Sequence, residues 1–207
     1  MRTKLSDIST VRQGLSRSGR SIGARRGEAQ VRLVSGTNIQ DGRVEEAGLE
    51  TISIDLNGQT EKHLLRPYDV LVTGKSTVIK AAYVPPTIGR AVANSTLLVV
   101  RPDDADTGLY LWWFLTSREG RRIVESRLRA SATLSSLLPS ALADIEVPLP
   151  PPPRLRMFAE LIQTTERAYW AASDAARIRR NSVRDQLIQD LLTRDTKLKE
   201  GAIHDAD

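Results

Sequence analysis

The sequence contains no cysteine and only two histidines, His63 and His204, among its 207 residues. The lack of cysteine excludes disulfides, thiolate zinc sites, iron–sulfur clusters and a cysteine nucleophile. Two histidines so far apart in sequence exclude a histidine-rich metal centre. The longest apolar run, Leu109–Leu115, is far shorter than the roughly 20 residues of a membrane span. Met1–Thr10 has no apolar signal core, so we expect a cytoplasmic protein without a membrane partner.

Positive charge is concentrated near the N-terminus. The net charge is +5 at pH 7, and residues 1–30 hold seven Lys and Arg against two acidic residues. A mobile loop that carries arginine suits a phosphate backbone or a base edge. A solvated loop without any ligand has the same composition, however. Five arginines lie among glycine and serine residues, as is typical of such a loop: Arg12, Arg17, Arg20, Arg25 and Arg26.

Residues 31–101 show the pattern of short β-strands. Stretches rich in Val and Ile alternate with turn residues, and Asp41-Gly42 is a strong hairpin signal. Gly89 is expected to allow an unusual backbone angle in the turn before the last of these strands. Residues 144–149 predict one further strand, which the following prolines end.

Two helices are predicted between these strands. Asp106 or Thr107 can cap the first, which runs through Leu115 and carries two of the three tryptophans. The second, over residues 117–129, is charged and amphipathic. The tryptophans indicate that the first helix supplies much of the core.

The longest predicted element is a helix near the C-terminus. Residues 154–194 contain neither Gly nor Pro, and roughly 40 helical residues span about 60 Å. Because that exceeds the width of a small domain, we expect this helix to pair with another helix, from a second copy or a partner. The apolar residues that recur at heptad-like spacing are Leu155, Phe158, Ile162, Tyr169, Val183, Leu187 and Leu191.

Gly74-Lys75-Ser76-Thr77 resembles the end of a phosphate-binding loop. That motif needs a glycine five positions before Gly74, where this sequence has Asp69. We therefore reject nucleotide binding and predict a hairpin tip that carries a cation and two hydroxyl groups. Carboxylates are scattered without nuclease-like spacing, so the sequence supports no catalytic residue and no metal site.

Two stretches, Leu65–Pro102 and Ala130–Pro153, resemble the specificity (S) subunits of type I restriction–modification systems. The resemblance lies in the order of the parts and in local sequence such as RPYDVLVTGKSTVIKAAYVPP, and it leads directly into the long helix. It implies an α+β fold with one mixed α/β target recognition domain that contains a small β-sheet. Residues 1–150 would form this domain, 151–195 a long coiled-coil-like helix and 196–207 a polar tail.

The resemblance also implies a function. Such subunits are not catalytic: they bind double-stranded DNA, read a bipartite target and guide DNA methyltransferase subunits. No cofactor is expected in this chain, since S-adenosylmethionine and ATP belong to partner subunits, among which a restriction subunit is possible. The family usually has two recognition domains and two helices per chain. This chain therefore looks like a half-subunit that pairs with itself or with a second such chain.

The candidate DNA contacts follow from residue type and position. Arginine would read guanine edges, asparagine would read adenine edges, and the remaining residues would mostly contact phosphates. The candidates are Arg12, Arg17, Arg20, Arg25, Arg26, Thr37, Asn38, Lys75, Ser76, Thr77, Arg90, Arg127 and Arg129.

Two other functions are compatible with the sequence. The first is a non-catalytic adaptor of a bacterial or archaeal phage-defence complex, whose helix binds protein and whose β domain never touches DNA. The second is a nuclease that uses scattered carboxylates and magnesium. Metal-dependent cleavage by the isolated chain would favour the nuclease, and persistent lack of DNA binding would favour the adaptor.

Overall fold

A computed structural model describes residues 2–16, 29–76, 78–129 and 135–204, with side chains up to Thr193. The described strands are β1 (Arg2–Lys4), β2 (Ser9–Gln13), β3 (Ala29–Val34), β4 (Ile39–Gln40), β5 (Arg43–Val44), β6 (Glu50–Ile54), β7 (Val70–Thr73), β8 (Lys75–Ser76), β9 (Ala81–Tyr83), β10 (Ala91–Ala93), β11 (Leu97–Pro102), β12 (Ser135–Ser136) and β13 (Glu146–Pro148). The described α-helices are α1 (Gly58–Glu61), α2 (Ala105–Thr116), α3 (Arg118–Glu125), α4 (Pro139–Ala143) and α5 (Pro152–His204). Short 3-10 helices cover Leu5–Asp7 and Gly36–Asn38.

The chain divides into two compact units, Met1–Ile162 and Gln163–Asp207. The first is a mixed α/β domain that includes the first turns of α5, and the second is formed by the rest of that helix. The predicted fold class, an α/β domain with a small sheet followed by a long C-terminal helix, is confirmed. Within the described ranges, no helix is long and apolar enough to cross a membrane.

The main sheet of the first unit has six strands in the order β2-β11-β7-β9-β5-β4. Its neighbours are antiparallel except for β5 and β9, which run parallel. A three-stranded sheet, β10-β3-β6, pairs β10 parallel to β3. The two smallest sheets pair β1 with β13 and β12 with β8. They join segments that are more than fifty residues apart in the sequence.

The core lies around the central strands of the main sheet. All residues of β7 are buried, as are Leu97–Val100 of β11. Such continuous burial requires cover on both faces of a sheet. Helix α2 provides part of it, and its buried Trp112 meets the ring of Tyr83 edge to face, with 5.0 Å between centroids. Trp113, by contrast, is 45% exposed.

The helix starts differ from the sequence prediction. Asp104, not Asp106 or Thr107, caps α2: its Oδ1 accepts the Thr107 N–H at 2.8 Å. Helix α3 starts after Ser117, whose Oγ accepts the Gly120 N–H at 3.1 Å, and it ends at Glu125 rather than at residue 129. The observed caps differ from the predicted ones because several neighbouring residues could each accept hydrogen bonds from the free N–H groups of a first turn. Only the backbone path determines which of them does so.

Two predicted turns are confirmed. Asp41 and Gly42 have φ angles of 48° and 76° and connect β4 to β5, as a two-residue hairpin requires. Gly89 has the expected positive φ, 68°, although its turn leads into β10 and not into β11, the last strand of the region. A positive φ is strained for most residues that have a side chain, so glycine is favoured at both positions by the backbone conformation of the turn.

Candidate nucleic-acid interface

Strands β8 and β12, together with Arg129, form a narrow three-stranded ribbon. Ser135 and Ser136 pair with Ser76 and Lys75. On its other side, Ser136 exchanges two backbone hydrogen bonds with Arg129, at 2.9 and 3.0 Å. Directly opposite residues of antiparallel strands share one face. Lys75, Ser136 and Arg129 therefore lie side by side on the same face, which we call the ribbon face.

The ribbon face presents two cations with a hydroxyl group between them. The N–H and C=O groups of Ser136 both form hydrogen bonds with Arg129. The pairing of Ser136 with Lys75 is therefore of the non-hydrogen-bonded kind, in which the Cα atoms lie closer together. The Cα atoms of Lys75 and Arg129 are then about 10 Å apart across Ser136. Both cationic side chains are exposed. This arrangement can donate hydrogen bonds to an extended anionic ligand and attract its negative charge.

Neighbouring strand ends meet the ribbon. The Thr96 carbonyl accepts the N–H groups of Gly74 and Lys75, at 2.7 and 3.2 Å. A Cβ atom added to Gly36 would lie 3.4 Å from Cγ2 of Thr73, which places the 3-10 helix Gly36–Asn38 beside the end of β7. Thr37, which is exposed, and Asn38 thus lie at the same end of the domain as Lys75.

The side chain of Asn38 already has a structural role. Its Oδ1 accepts the N–H of Ser35 at 2.9 Å and the Ser35 hydroxyl at 2.7 Å. Reading adenine with both ends of an amide needs the same oxygen to accept from N6. The predicted adenine contact of Asn38 would therefore require this cap to break.

Of the other predicted contacts, Arg90 lies away from the ribbon. Arg90 is exposed and lies just before the start of β10. Thr96, which contacts Lys75 at the ribbon, lies after the end of β10. The length of β10 puts about 13 Å between the Cα atoms of Arg90 and Asn94. Arg127 is exposed just after α3. Five further candidates lie outside the described residues: Arg17, Arg20, Arg25, Arg26 and Thr77.

The placement of Arg12 in a loop is wrong. Arg12 belongs to strand β2, where it pairs with the buried Val99 of β11. Its Nε and Nη2 atoms are buried without a hydrogen-bond partner in the described part of the chain. Burial is the main cause that lowers the pKa of Arg12, and the nearby Arg101 cation lowers it further. The glycine- and serine-rich sequence that follows Arg12 misled the prediction.

Beside Arg12 lies a buried ion pair. Asp69 accepts two hydrogen bonds from Arg101, at 2.9 Å from Nε and 2.6 Å from Nη2. The Asp69 side chain is 1% exposed and that of Arg101 is 13% exposed. Asp69 also accepts the Arg66 N–H at 2.9 Å, and Arg101 donates to the Leu64 carbonyl at 2.7 Å. This network ties the segment before β7 to strand β11.

His63 is the histidine next to this network. Burial lowers its pKa below the ordinary value of 6.5, and the cations Arg12 and Lys62 lower it further. Its Nδ1 atom is buried and has no hydrogen-bond partner among the described residues. A proton on His63 is therefore disfavoured in the folded protein.

We expect His63→Gln to flatten the loss of stability at mildly acidic pH. Below pH 6.5, the unfolded wild type binds a proton on His63 before the folded state does, so the free energy of unfolding falls as the pH falls. Glutamine cannot take up this proton. Urea denaturation between about pH 7.5 and about pH 5 should show a smaller decline for the variant. Parallel pH curves for the two proteins would contradict the perturbed histidine.

Comparison with known proteins identifies the fold. No protein-family model matches the sequence, and no curated protein matches it. Among solved structures, a chain of a type I restriction–modification system studied for its assembly and conformational transition matches with a TM-score of 0.55 and 16% identity. The HsdS subunit from Thermoanaerobacter tengcongensis matches with 0.53 and 16%. The type I S subunit from M. genitalium matches with 0.50 and 11%.

The chain shares the fold of type I specificity subunits. The matches cover 84%, 84% and 81% of this chain, but only 40%, 39% and 39% of the solved chains. This chain therefore spans about two fifths of the length of the structures that it resembles. The fold expected from the resemblance is confirmed.

The predicted pairing residues of α5 fall into two groups. In the first unit, Leu155 and Ile162 are buried, 8% and 5% exposed, and Phe158 is partly buried. Their side chains pack within the domain of the S-subunit fold. The group that is exposed in the second unit consists of Tyr169, Val183, Leu187 and Leu191.

The sequence prediction missed the two serines of β12. Ser135 and Ser136 belong to a stretch that carries the family resemblance, but no local pattern indicates that they pair with β8. A cluster of exposed arginines on α3, Arg118, Arg121 and Arg122, was also missed. Within the described residues, no group of three or more His, Asp or Glu side chains is placed to hold a metal ion.

Proposed function

We propose that this chain recognises a sequence in double-stranded DNA and reads one half of a bipartite target. The observation that carries the proposal is the ribbon face, where the exposed cations Lys75 and Arg129 flank the Ser136 hydroxyl. Cations and hydroxyl groups are the protein groups that contact phosphates and base edges. The fold shared with type I specificity subunits supports the same function.

The residues at the ribbon have different roles in this proposal. Arg129 reads a base, because a guanidinium group can donate two hydrogen bonds to the O6 and N7 atoms of guanine. Lys75 is a compact charge on a flexible stem and contacts phosphate. Thr37 adds a hydroxyl contact at the same end of the domain, whereas Ser76 follows Lys75 in β8 and faces the other side of the ribbon. The amide donor of Asn38 remains available while its oxygen holds the cap.

The chemistry belongs to partner subunits in this proposal. The chain itself is non-catalytic and guides DNA methyltransferase subunits to the target. S-adenosylmethionine and ATP bind to those partners, and a restriction subunit can join the complex. The exposed apolar residues of α5 serve pairing with a second copy of this chain or with another S-like chain.

A methylation assay tests the guiding role. The full chain is mixed with a type I methyltransferase subunit, radiolabelled S-adenosylmethionine and a pool of duplex DNA. We expect methyl transfer to require the chain and to fall when Lys75 and Arg129 are both replaced by alanine. Equal methyl transfer without the chain would contradict the proposal.

A protein-interaction adaptor is the second candidate, and the exposed apolar side chains on α5 favour it. An adaptor would bring the methyltransferase subunit into a complex but would leave its choice of DNA unchanged. Methyl transfer that needs the chain, yet is unaffected by the Lys75 and Arg129 replacements, would support the adaptor.

A further inference from the structure

Helix α3 turns three arginines away from the domain. Its inner side is fixed by Gly120, where an added Cβ atom would collide with a backbone oxygen of α2, and by Val124, which is 1% exposed. Residues two positions before and after Gly120 lie about 200° around the helix from it. Arg118 and Arg122 therefore point to solvent, and Arg121 is exposed beside them. We call these three arginines the arginine face.

The arginine face is concave and only partly neutralised. Three arginines, a threonine and a glutamate line an open cleft of about 560 Å³: Thr116, Arg118, Arg121, Arg122 and Glu125. Arg122 is held by Glu119, whose Oε1 accepts a hydrogen bond from its Nη2 at 2.9 Å. Arg118 and Arg121 have no ion-pair partner within the described part of the chain. Two guanidinium groups are thus free to bind an anion.

The charge around this face is positive over a longer segment. Residues 118–129 contain five arginines and two glutamates, a net charge of +3. The pKa of Glu119 is lowered mainly by the hydrogen bond from Arg122, and the charge of Arg2 lowers it further, so a further cation lies nearby. Arg118 is the first residue of α3, where the helix dipole disfavours a cation. A residue that opposes local helix stability indicates a role in binding.

The arginine face lies close to the ribbon in the same unit. After α3, the N–H groups of Arg127 and Leu128 bond to carbonyl groups three residues earlier, at 3.0 and 3.1 Å, so the chain continues in helical turns. Such turns advance at most about 2 Å per residue. The Cα atom of Arg122 is therefore within about 16 Å of that of Arg129. Each DNA strand carries one phosphate per about 3.4 Å along the helix axis, so this distance corresponds to about five base pairs.

We propose that the arginine face binds the phosphate backbone of the duplex that the ribbon reads, within about five base pairs of the base contacted by Arg129. This inference rests on the proposed DNA recognition and adds a second contact that is independent of sequence. Arg118 and Arg121 each neutralise one phosphate, whereas Arg122 stays paired with Glu119. Contacts to phosphate fix the orientation of a protein on the duplex. The DNA segment bound by this chain is therefore longer than the sequence that it reads.

The salt dependence of DNA binding tests this contact. In the full chain, Arg118 and Arg121 are both replaced by alanine, and fluorescence anisotropy follows the binding of a labelled duplex of mixed sequence. Losing two phosphate contacts should reduce the slope of log affinity against log salt by about 1.8. Between about 50 mM and about 200 mM salt, wild-type affinity should then fall about tenfold more than that of the variant. The preference for one sequence over another should stay the same, because phosphate contacts carry no sequence information.

Three further variants separate a phosphate contact from other effects. Arg118→Lys with Arg121→Lys keeps both charges and should keep the wild-type slope. Glu119→Gln removes an anion beside the arginine face and should steepen the slope. Lys62→Ala with Arg90→Ala removes two exposed cations elsewhere in the same unit and should change the slope less. Equal urea midpoints verify that the variants are folded.

Other outcomes would overturn the inference. If the double alanine variant keeps the wild-type slope while the wild type selects a DNA sequence, the arginine face does not touch DNA and the DNA proposal stands. A variant that keeps DNA binding but no longer retains the methyltransferase subunit would assign this face to a protein partner instead. An equal reduction from the Lys62 and Arg90 replacements would show an effect of net charge alone. A wild-type chain that binds no duplex would overturn the proposed function as well.

Discussion

Replacing Asp69 by alanine is expected to lower the free energy of unfolding by about 3–5 kcal/mol. Asp69 is 1% exposed and accepts both hydrogen bonds that Nε and Nη2 of Arg101 direct at it. Its removal leaves the Arg101 charge buried without a counter-ion, and the Arg66 N–H loses its acceptor. Arg12, itself partly buried, then lies near a second uncompensated cation. Chemical denaturation monitored by tryptophan fluorescence measures the loss.

Two further variants separate the ion pair from a general effect of losing a carboxylate. Asp103→Ala removes an exposed carboxylate and should change stability by less than about 0.5 kcal/mol. Asp69→Ala combined with Arg101→Met removes both charges and should be more stable than Asp69→Ala alone. A single Asp69→Ala variant that is as stable as Asp103→Ala would show that the pair contributes little.

Replacing Lys75 and Arg129 together by alanine should weaken DNA binding strongly. Each residue presents an exposed cation on the ribbon face. Removing one cation that neutralises a phosphate should reduce the slope of log affinity against log salt by about 0.9. If both side chains bind phosphates, the slope falls by about 1.8. If Arg129 reads a base, its replacement costs about 1–3 kcal/mol and relaxes specificity at that base pair.

Single variants assign these contributions. Lys75→Ala should weaken binding to all duplexes alike, whereas Arg129→Ala should weaken binding to the preferred duplex more than to others. Arg90→Ala removes one positive charge at the end of β10 that lies away from the ribbon, and it should change the salt slope less. Fluorescence anisotropy at several salt concentrations gives these values. Equal effects of all three substitutions would mean that net charge, not the ribbon, governs binding.

Features set by neighbouring residues could be predicted from the sequence. Asp41-Gly42 and Gly89 adopt positive φ angles where turns were expected, because turn geometry depends on the residues in the turn. The long helix follows from the absence of glycine and proline over residues 154–194. The cap at Asp104 was missed by two or three residues, since several acidic and hydroxyl side chains lie close together there.

The ribbon could not be predicted as an arrangement. Lys75 and Arg129 were selected by residue type and position in the sequence, and Ser136 was not selected at all. Lys75 and Ser136 are 61 residues apart in the sequence, and a pairing over that distance depends on how the whole domain packs. The strand that contains Arg12 was missed for the same reason: β2 is held by its long-range pairing with β11.

The apolar residues of α5 show how exposure refines a sequence pattern. Heptad-like spacing selected Leu155 and Ile162 together with Tyr169 and Val183. The structure buries the first two residues within the α/β domain and exposes the last two. One apolar pattern thus serves the core over the first turns of the helix and a free surface over the rest.

Selection from a randomised duplex pool tests the central claim most directly. The full chain, alone and in complex with a type I methyltransferase subunit, is used to retain DNA that is then sequenced. We expect enrichment of one defined short sequence, present as two inverted half-sites at fixed spacing when two copies pair. Retained DNA with the same sequence composition as the input pool, in both samples, would contradict sequence-specific recognition by this chain.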